Sequence, residues 1–277
     1  MNMPKFILCV FIGLFFTVMT LFATAAESVP IKDFELRVKR HWVSSDGNIT
    51  LDIYTGTWKS HGLMQMTDTR YVSSFEGLQK GTQFDLKTYD AERGLEAPPL
   101  YTIRGTLDLN RNTFTADIID METGVTNRVN FAPYYPIKNR PTLNFKFWGF
   151  EDADWHRTHV TRIQVVDKAT AKVIQTLSGF DAMPLGTAYY EDINFDGYFD
   201  LRMSLDASST SANEKYLYWL YDPVTKRFER SAQFEEQPGF LDTSFWCKEL
   251  RFYGPNNFNY INGKMVPARD TYCRPWD

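Results

Sequence analysis

Apolar and polar residues alternate along this chain in short runs, and turn-forming residues separate the runs. Ile49-Thr50-Leu51-Asp52-Ile53-Tyr54 follows Ser45-Asp46-Gly47-Asn48. Tyr101 to Leu109 turns at Asn110-Arg111-Asn112 into Phe114-Thr115-Ala116-Asp117-Ile118. Val160 to Val166 turns at Asp167-Lys168-Ala169-Thr170 into Lys172 to Leu177. Lys215 to Tyr221 turns at Asp222-Pro223 into Arg227 to Arg230, and Tyr260 to Val266 carries Asn262-Gly263 at its centre. Period-two alternation puts successive side chains on opposite faces of a strand, and Asn-Gly is the strongest short-range hairpin signal. Helical periodicity is scarce. The pattern predicts an all-β chain built of hairpins.

One turn motif recurs. Asp-x-x-Thr followed by a small or basic residue appears at Asp120, Asp167 and Asp222. The intervals are close to the roughly 40–50 residues of a hairpin-built propeller blade. The expectation is a single propeller-like domain over residues 27–277, with a β-sandwich or barrel as the alternative. Proline-rich breaks at Ala97-Pro98-Pro99 and at Ala132-Pro133-Tyr134-Tyr135-Pro136, with Pro141 soon after, interrupt the pattern. The second suggests a subdivision near 133–141, leaving 142–277 as a C-terminal part.

That part contains Glu191-Asp192-Ile193-Asn194-Phe195-Asp196-Gly197-Tyr198-Phe199-Asp200. Oxygen side chains at Asp192, Asn194 and Asp196, a glycine at Gly197, a backbone carbonyl at Tyr198 and a carboxylate at Asp200 have the spacing of a calcium loop. Ca2+ is a hard cation that takes six to eight oxygens, so such a loop suits it. Position 12 is Met203, where the helix-loop-helix version needs a bidentate Glu, and the flanks alternate like strands. The expectation is therefore a calcium loop closing a β-hairpin and serving a structural role. An acidic turn that binds no metal is the alternative.

Residues 1–26 read as a secretory signal: Lys5, an apolar run from Phe6 to Phe22, then Ala23-Thr24-Ala25 as a small-x-small cleavage site. Export of the remainder is expected, with no membrane association after cleavage; an uncleaved membrane anchor is the alternative. Beyond the signal the chain keeps Cys247 and Cys273. In an oxidising compartment they most simply pair, with two free thiols as the alternative. A net charge of -4 gives no basic excess of the kind nucleic-acid binding uses.

No Gly-x-Ser-x-Gly elbow or phosphate-cradling glycine loop is present. The four histidines, His41, His61, His156 and His159, read as core or loop residues rather than a zinc set. Glu151-Asp152-Ala153-Asp154 reads as a solvated acidic loop. The chain is accordingly read as not an enzyme. Ser208, Ser209, Thr210, Ser211 and Asn213 lie in a polar stretch of small residues just beyond the calcium-loop strand. Small polar residues adapt well to a partner's cleft, so these five are the candidate partner contacts.

Val173-Ile174-Gln175-Thr176-Leu177, the segment Glu191 to Leu201, Tyr218-Trp219-Leu220-Tyr221-Asp222-Pro223 and Arg227-Phe228, in that order, resemble the calcium-binding, propeller-like immunity proteins of Gram-negative bacteria. The likeness covers about residues 160–235. It implies a periplasmic immunity or inhibitor protein that binds and occludes a lysozyme-like peptidoglycan hydrolase. It also implies calcium held by Asp192, Asn194, Asp196, the Tyr198 carbonyl and Asp200. It transfers no inhibitory contact residue. An enzyme acting on envelope polysaccharide, or a calcium-dependent adhesion or scaffolding module, are the alternatives.

Overall fold

The computed structural model describes residues 28–68, 71–89, 97–138, 140–152, 157–206, 213–245, 248–252 and 257–268. It is all-β apart from one helical turn, α1 (Ala232–Glu235).

The first large unit is a meander of eight strands: β2 (Glu35–Ser44), β3 (Ile49–Thr55), β4 (Lys59–Met66), β5 (Tyr71–Lys80), β6 (Gln83–Tyr89), β7 (Tyr101–Asp108), β8 (Thr113–Asp120) and β9 (Thr126–Pro133). Each pairs antiparallel with the next. β9 returns to β2, pairing Trp42 with Pro133, Val43 with Ala132 and Ser44 with Phe131. The sheet therefore closes into a barrel. Eight strands enclose a space just wide enough for side chains to fill. Trp42, Leu51, Ile53, Met64, Phe75, Leu86, Ile103 and Phe114 fill it, all fully buried. The Trp42 indole N–H donates to the Asn112 carbonyl at 2.9 Å, and its ring stacks on Phe114. The alternation that marked Leu51 and Ile53 as one face is the inward face of this wall.

Three four-stranded layers follow. β13 (Thr187–Glu191), β14 (Asp200–Ser204), β15 (Tyr216–Asp222) and β16 (Arg227–Arg230) extend the barrel sheet, because β13 runs parallel to the first half of β2. β1 (Val29–Pro30), β10 (Leu143–Glu151), β11 (Thr158–Asp167) and β12 (Val173–Ala182) form a second sheet. β17 (Leu241–Ser244), β18 (Glu249–Phe252), β19 (Asn257–Ile261) and β20 (Lys264–Pro267) form a third. The β13–β16 sheet is covered on both faces. Tyr190, Leu201, Met203, Leu217 and Trp219 pack with Phe147, Ile163 and Leu177 of the second sheet. The alternate residues Tyr189, Tyr216 and Tyr218 pack with Phe234, Leu241 and Leu250 towards the third. Burial on both sides explains why β15 reads as a nearly continuous apolar run, and why the polar residues of β14 are buried as well.

The propeller-like expectation is corrected here. β2–β9 form a closed barrel, the alternative architecture, and the described residues show no propeller. The physical reason is the β2–β9 pairing, which joins the first and last strands of the meander and leaves no free blade edge. The recurring Asp-x-x-Thr also has a local cause. Asp120, Asp167 and Asp222 each open the turn of a hairpin, and each carboxylate accepts hydrogen bonds from backbone N–H groups two or three residues on. The fifth residues, Gly124, Ala171 and Lys226, have φ of 72°, 55° and 57°. The motif marks a tight turn ending in a left-handed residue, and not a blade.

Gly105 tests how closely the barrel interior is packed. A Cβ there would lie 2.3 Å from the Phe114 ring and 2.8 Å from the Ala116 methyl. Overpacking of this kind costs about 1–3 kcal/mol. Gly105→Ala is expected to lower stability by that amount in chemical denaturation, and an unchanged midpoint would contradict the packing described.

Candidate functional site

The Asp192–Phe199 segment connects β13 to β14, with Glu191 opposite Asp200 across the antiparallel pair. It is the loop of a β-hairpin, as the flanking alternation implies. Its apolar residues anchor it. Ile193 and Phe195 enter the cluster beneath the third sheet, and Phe199 enters the cluster beneath the second. The oxygen-bearing residues occupy the intervening positions. Phe195 and Gly197 have φ of 61° and 89°, and these two left-handed residues make the sharp turn. At Gly197 a Cβ would also meet Ile137 at 2.6 Å, so no larger residue fits.

The carboxylates shape the loop through its own amides. Asp192 accepts from the Asp196 N–H at 3.1 Å and the Gly197 N–H at 2.8 Å. Asp196 accepts from the Tyr198 N–H at 2.8 Å. Asp200 accepts from the Ile193 N–H at 2.9 Å and from the Tyr221 N–H at 2.8 Å, tying the loop to the next strand but one. The Asn194 amide donates to Asp196. The Tyr198 ring stacks on Tyr221, which leaves its carbonyl as the candidate donor atom.

These hydrogen bonds do not offset burial. Asp192 is pushed up to about 8, first by desolvation and then by the charge of Asp196. Asp200, fully buried, is raised well above the carboxylate range by burial and by the charges of Asp192 and Asp196. Desolvation raises Asp196 as well. The nearest countercharge is Arg140, whose guanidinium donates to the Gly197 carbonyl and lowers the shifts of Asp192 and Asp196 without cancelling them. Asp192 and Asp200 are buried while Asp196 is exposed, and two buried carboxylates beside a third charge are favoured to hold protons or a cation.

The donors present suit a hard cation, since all are oxygens and a carboxylate oxygen bonded to one N–H keeps a second lone pair. The arrangement is not that of a set gathered by side chains alone. Among the described residues, no group of three or more His, Cys, Asp and Glu side chains is brought together to hold a metal ion. A metal here would rely on Asn194 and the backbone carbonyl of Tyr198 beside the aspartates.

Asp192, Asn194, Asp196, Tyr198 and Asp200 thus lie together in one loop and its exit strand. Asn213 is exposed. Ser208, Ser209, Thr210, Ser211, Cys247 and Cys273 lie outside the described residues, as does His156. Of the other histidines, buried His41 bonds Asp52 and stacks on Phe245, His61 stacks on Tyr54, and His159 bonds Asp181.

Sequence reasoning missed the ion pair beneath the loop. Glu191 and Arg202 face each other at 2.6 Å with both side chains fully buried. The guanidinium lies over the rings of Tyr189 and Phe240 at 4.2 and 4.4 Å. The available signal was an arginine inside Leu201-Arg202-Met203, a charge at a strand position with apolar neighbours on both sides.

No family model matches the chain, and no curated protein matches it. A solved structure of Kuenenia stuttgartiensis hydrazine synthase aligns over 82% of this chain and 75% of that one, at 9% identity and a TM-score of 0.28. A likeness of that size carries no argument about fold or function.

The raised Asp192 gives a pH signature with a definite sign. Its folded pKa of about 8 lies above its ordinary value of 3.8. The folded state then keeps a proton that the unfolded state releases, so stability falls as pH rises between those two values. In chelator, the melting midpoint of wild type relative to Asp192→Asn is expected to fall from about pH 5 to about pH 8. A difference that is flat or rises over that window would show that Asp192 is not held protonated.

Proposed function

We propose that the chain is an exported, calcium-stapled β-protein that acts by binding. Its partner on this reading is a lysozyme-like peptidoglycan hydrolase, which it occludes as an immunity or inhibitor protein. The metal is Ca2+, held by Asp192, Asn194, Asp196, the Tyr198 carbonyl and Asp200. Periplasmic export and the hydrolase partner rest on the signal-like N-terminus and on the resemblance over residues 160–235.

The observation that carries the binding role is how the loop connects to the polar stretch. β14 starts at Asp200, every one of its residues is buried, and it leads straight to the start of that stretch. The flanks are pinned. Leu205 N–H donates to the Lys215 carbonyl at 2.7 Å, Met183 N–H donates to the Leu205 carbonyl at 2.9 Å, and Met183 bridges Asp206. A cation at the loop would fix the base from which Ser208, Ser209, Thr210, Ser211 and Asn213 are presented. A fixed base reduces the ordering cost of binding.

The test is inhibition of cell-wall lysis by a lysozyme-like hydrolase, measured with calcium and with chelator. Inhibition is expected in calcium and is expected to weaken in chelator. Ser209→Arg together with Ser211→Arg is expected to weaken it about a hundredfold with an unchanged melting midpoint, the cost of a few kcal/mol at an interface centre. Asp196→Ala is expected to remove the calcium response. Release of soluble fragments from cell wall by the protein alone would instead make it an envelope-active enzyme.

A further inference from the structure

A cleft of about 530 Å³ opens between the barrel end and the second sheet, beside the loop. Its volume is in the range of small-molecule sites, roughly 300–1,000 Å³. The lining carries four cationic side chains, Arg40, Arg111, Arg140 and Lys168, and no Asp or Glu among the described residues. Its other wall is apolar, with Leu36, Val38, Leu143 and Phe199 among its members.

Arg40 is the unusual member. It projects from β2 and is 8% exposed. Its described hydrogen-bond partners are neutral: Nε donates to the Thr55 hydroxyl at 3.0 Å, and Nη1 donates to the Asn112 side-chain carbonyl. Among charged groups it is another cation, Arg140, that bears on it most strongly. Arg140 lies over one face of Phe199 at 4.3 Å and Arg40 over the same ring at 5.8 Å. Burial and the Arg140 charge pull Arg40 down to about 10, so it stays protonated at neutral pH. Arg140 Nη1 is buried without a hydrogen-bond partner among the described residues. At the mouth, Arg111 reaches Asp108 only at 3.9 Å and is 82% exposed.

A buried guanidinium with no carboxylate partner is costly, and replacing such a group by an apolar one is often neutral or stabilising. Keeping one at the floor of a roomy cleft, with a second beside it, has a direct chemical reason. Guanidinium groups match carboxylate and phosphate oxygens in geometry as well as charge.

We propose that this cleft binds a small organic anion, a carboxylate or phosphate head group on a short apolar body. The head would lie between Arg40 and Arg140, and the body along Leu36, Val38 and Leu143. The site shares Arg140 with the acidic loop, and it stands or falls independently of the hydrolase reading.

Calorimetric titration of the full protein with octanoate, octyl phosphate and octanol tests it at constant ionic strength. Saturable binding of at least one anion, with octanol bound much more weakly, is expected. The preference between the two anions identifies the head group. Arg40→Met is expected to weaken anion binding about tenfold or more, the loss of one charge-assisted contact, measured at a temperature where the variant is folded because Thr55 and Asn112 lose a buried partner. Arg111→Ala lies on an exposed turn where folding is not at stake. It is expected to weaken binding about two- to threefold at low salt, with the effect shrinking as salt screens the mouth. Absence of binding by both anions at millimolar concentration would overturn the proposal. So would octanol binding as tightly as the anions, or anion affinity unchanged in both variants.

Discussion

β2 is the strand on which the rest of the structure depends, because it serves two sheets at once. Along one edge Val38 to Val43 pair with β3 without a break. Along the other, Glu35 to Val38 pair with β13 and Trp42 to Ser44 pair with β9. The two partners diverge at Lys39, Arg40 and His41, where no strand completes the ladder. Side-chain and loop contacts fill the gap. Lys39 reaches Asp242 of the third sheet, Arg40 reaches Asn112 at the barrel end, His41 reaches Asp52, and the Tyr134 amide bonds the His41 carbonyl. Of these three buried polar side chains, Lys39 is the one that ties β2 to the third sheet, while Arg40 and His41 bond within the barrel.

The divergence also separates two regions of opposite charge. On one side the 192–200 loop buries the carboxylates of Asp192 and Asp200 beside exposed Asp196, and on the other the cleft packs two guanidinium groups around Phe199. Arg140 belongs to both, since it bonds the Gly197 carbonyl and lies over Phe199. It supplies part of the loop's countercharge, which leaves a remaining deficit for a metal ion. Among the described residues, Arg40 is left bonded only to neutral partners, Thr55 and Asn112. A protein this size tolerates such arrangements only where packing around them is dense, and here Tyr190, Phe199, Leu201 and Trp219 provide it on one face of the sheet.

Much of this was legible in the sequence at short range and little of it at long range. The hairpins around 45–48, 110–112, 167–170, 222–226 and 262–263 follow from turn chemistry, which is local. The loop is legible because all its oxygen-bearing residues fall within nine residues, and its hairpin setting because the flanks alternate. The barrel is not, because its closure depends on three residue pairs between β2 and β9, far apart in the chain. β2 itself is disguised: Glu35-Leu36-Arg37-Val38-Lys39-Arg40-His41-Trp42 reads as a charged surface segment, and only its position between sheets makes Lys39 and Arg40 interior. The cleft gathers residues from 36 to 199 and leaves no mark in any single stretch. The Asp-x-x-Thr recurrence misled for the same reason, since one turn geometry serves a barrel hairpin as well as a blade.

The central claim is that the loop's buried carboxylates are completed by calcium. Calcium titration by calorimetry at pH 7, repeated in two buffers of different ionisation enthalpy, tests it most directly. Carboxylates that hold protons in the metal-free protein must release them when the ion binds. The account therefore predicts saturable uptake of a single ion per chain with net proton release, seen as a buffer-dependent heat. Absence of calcium uptake, or uptake with no dependence on buffer, would contradict it.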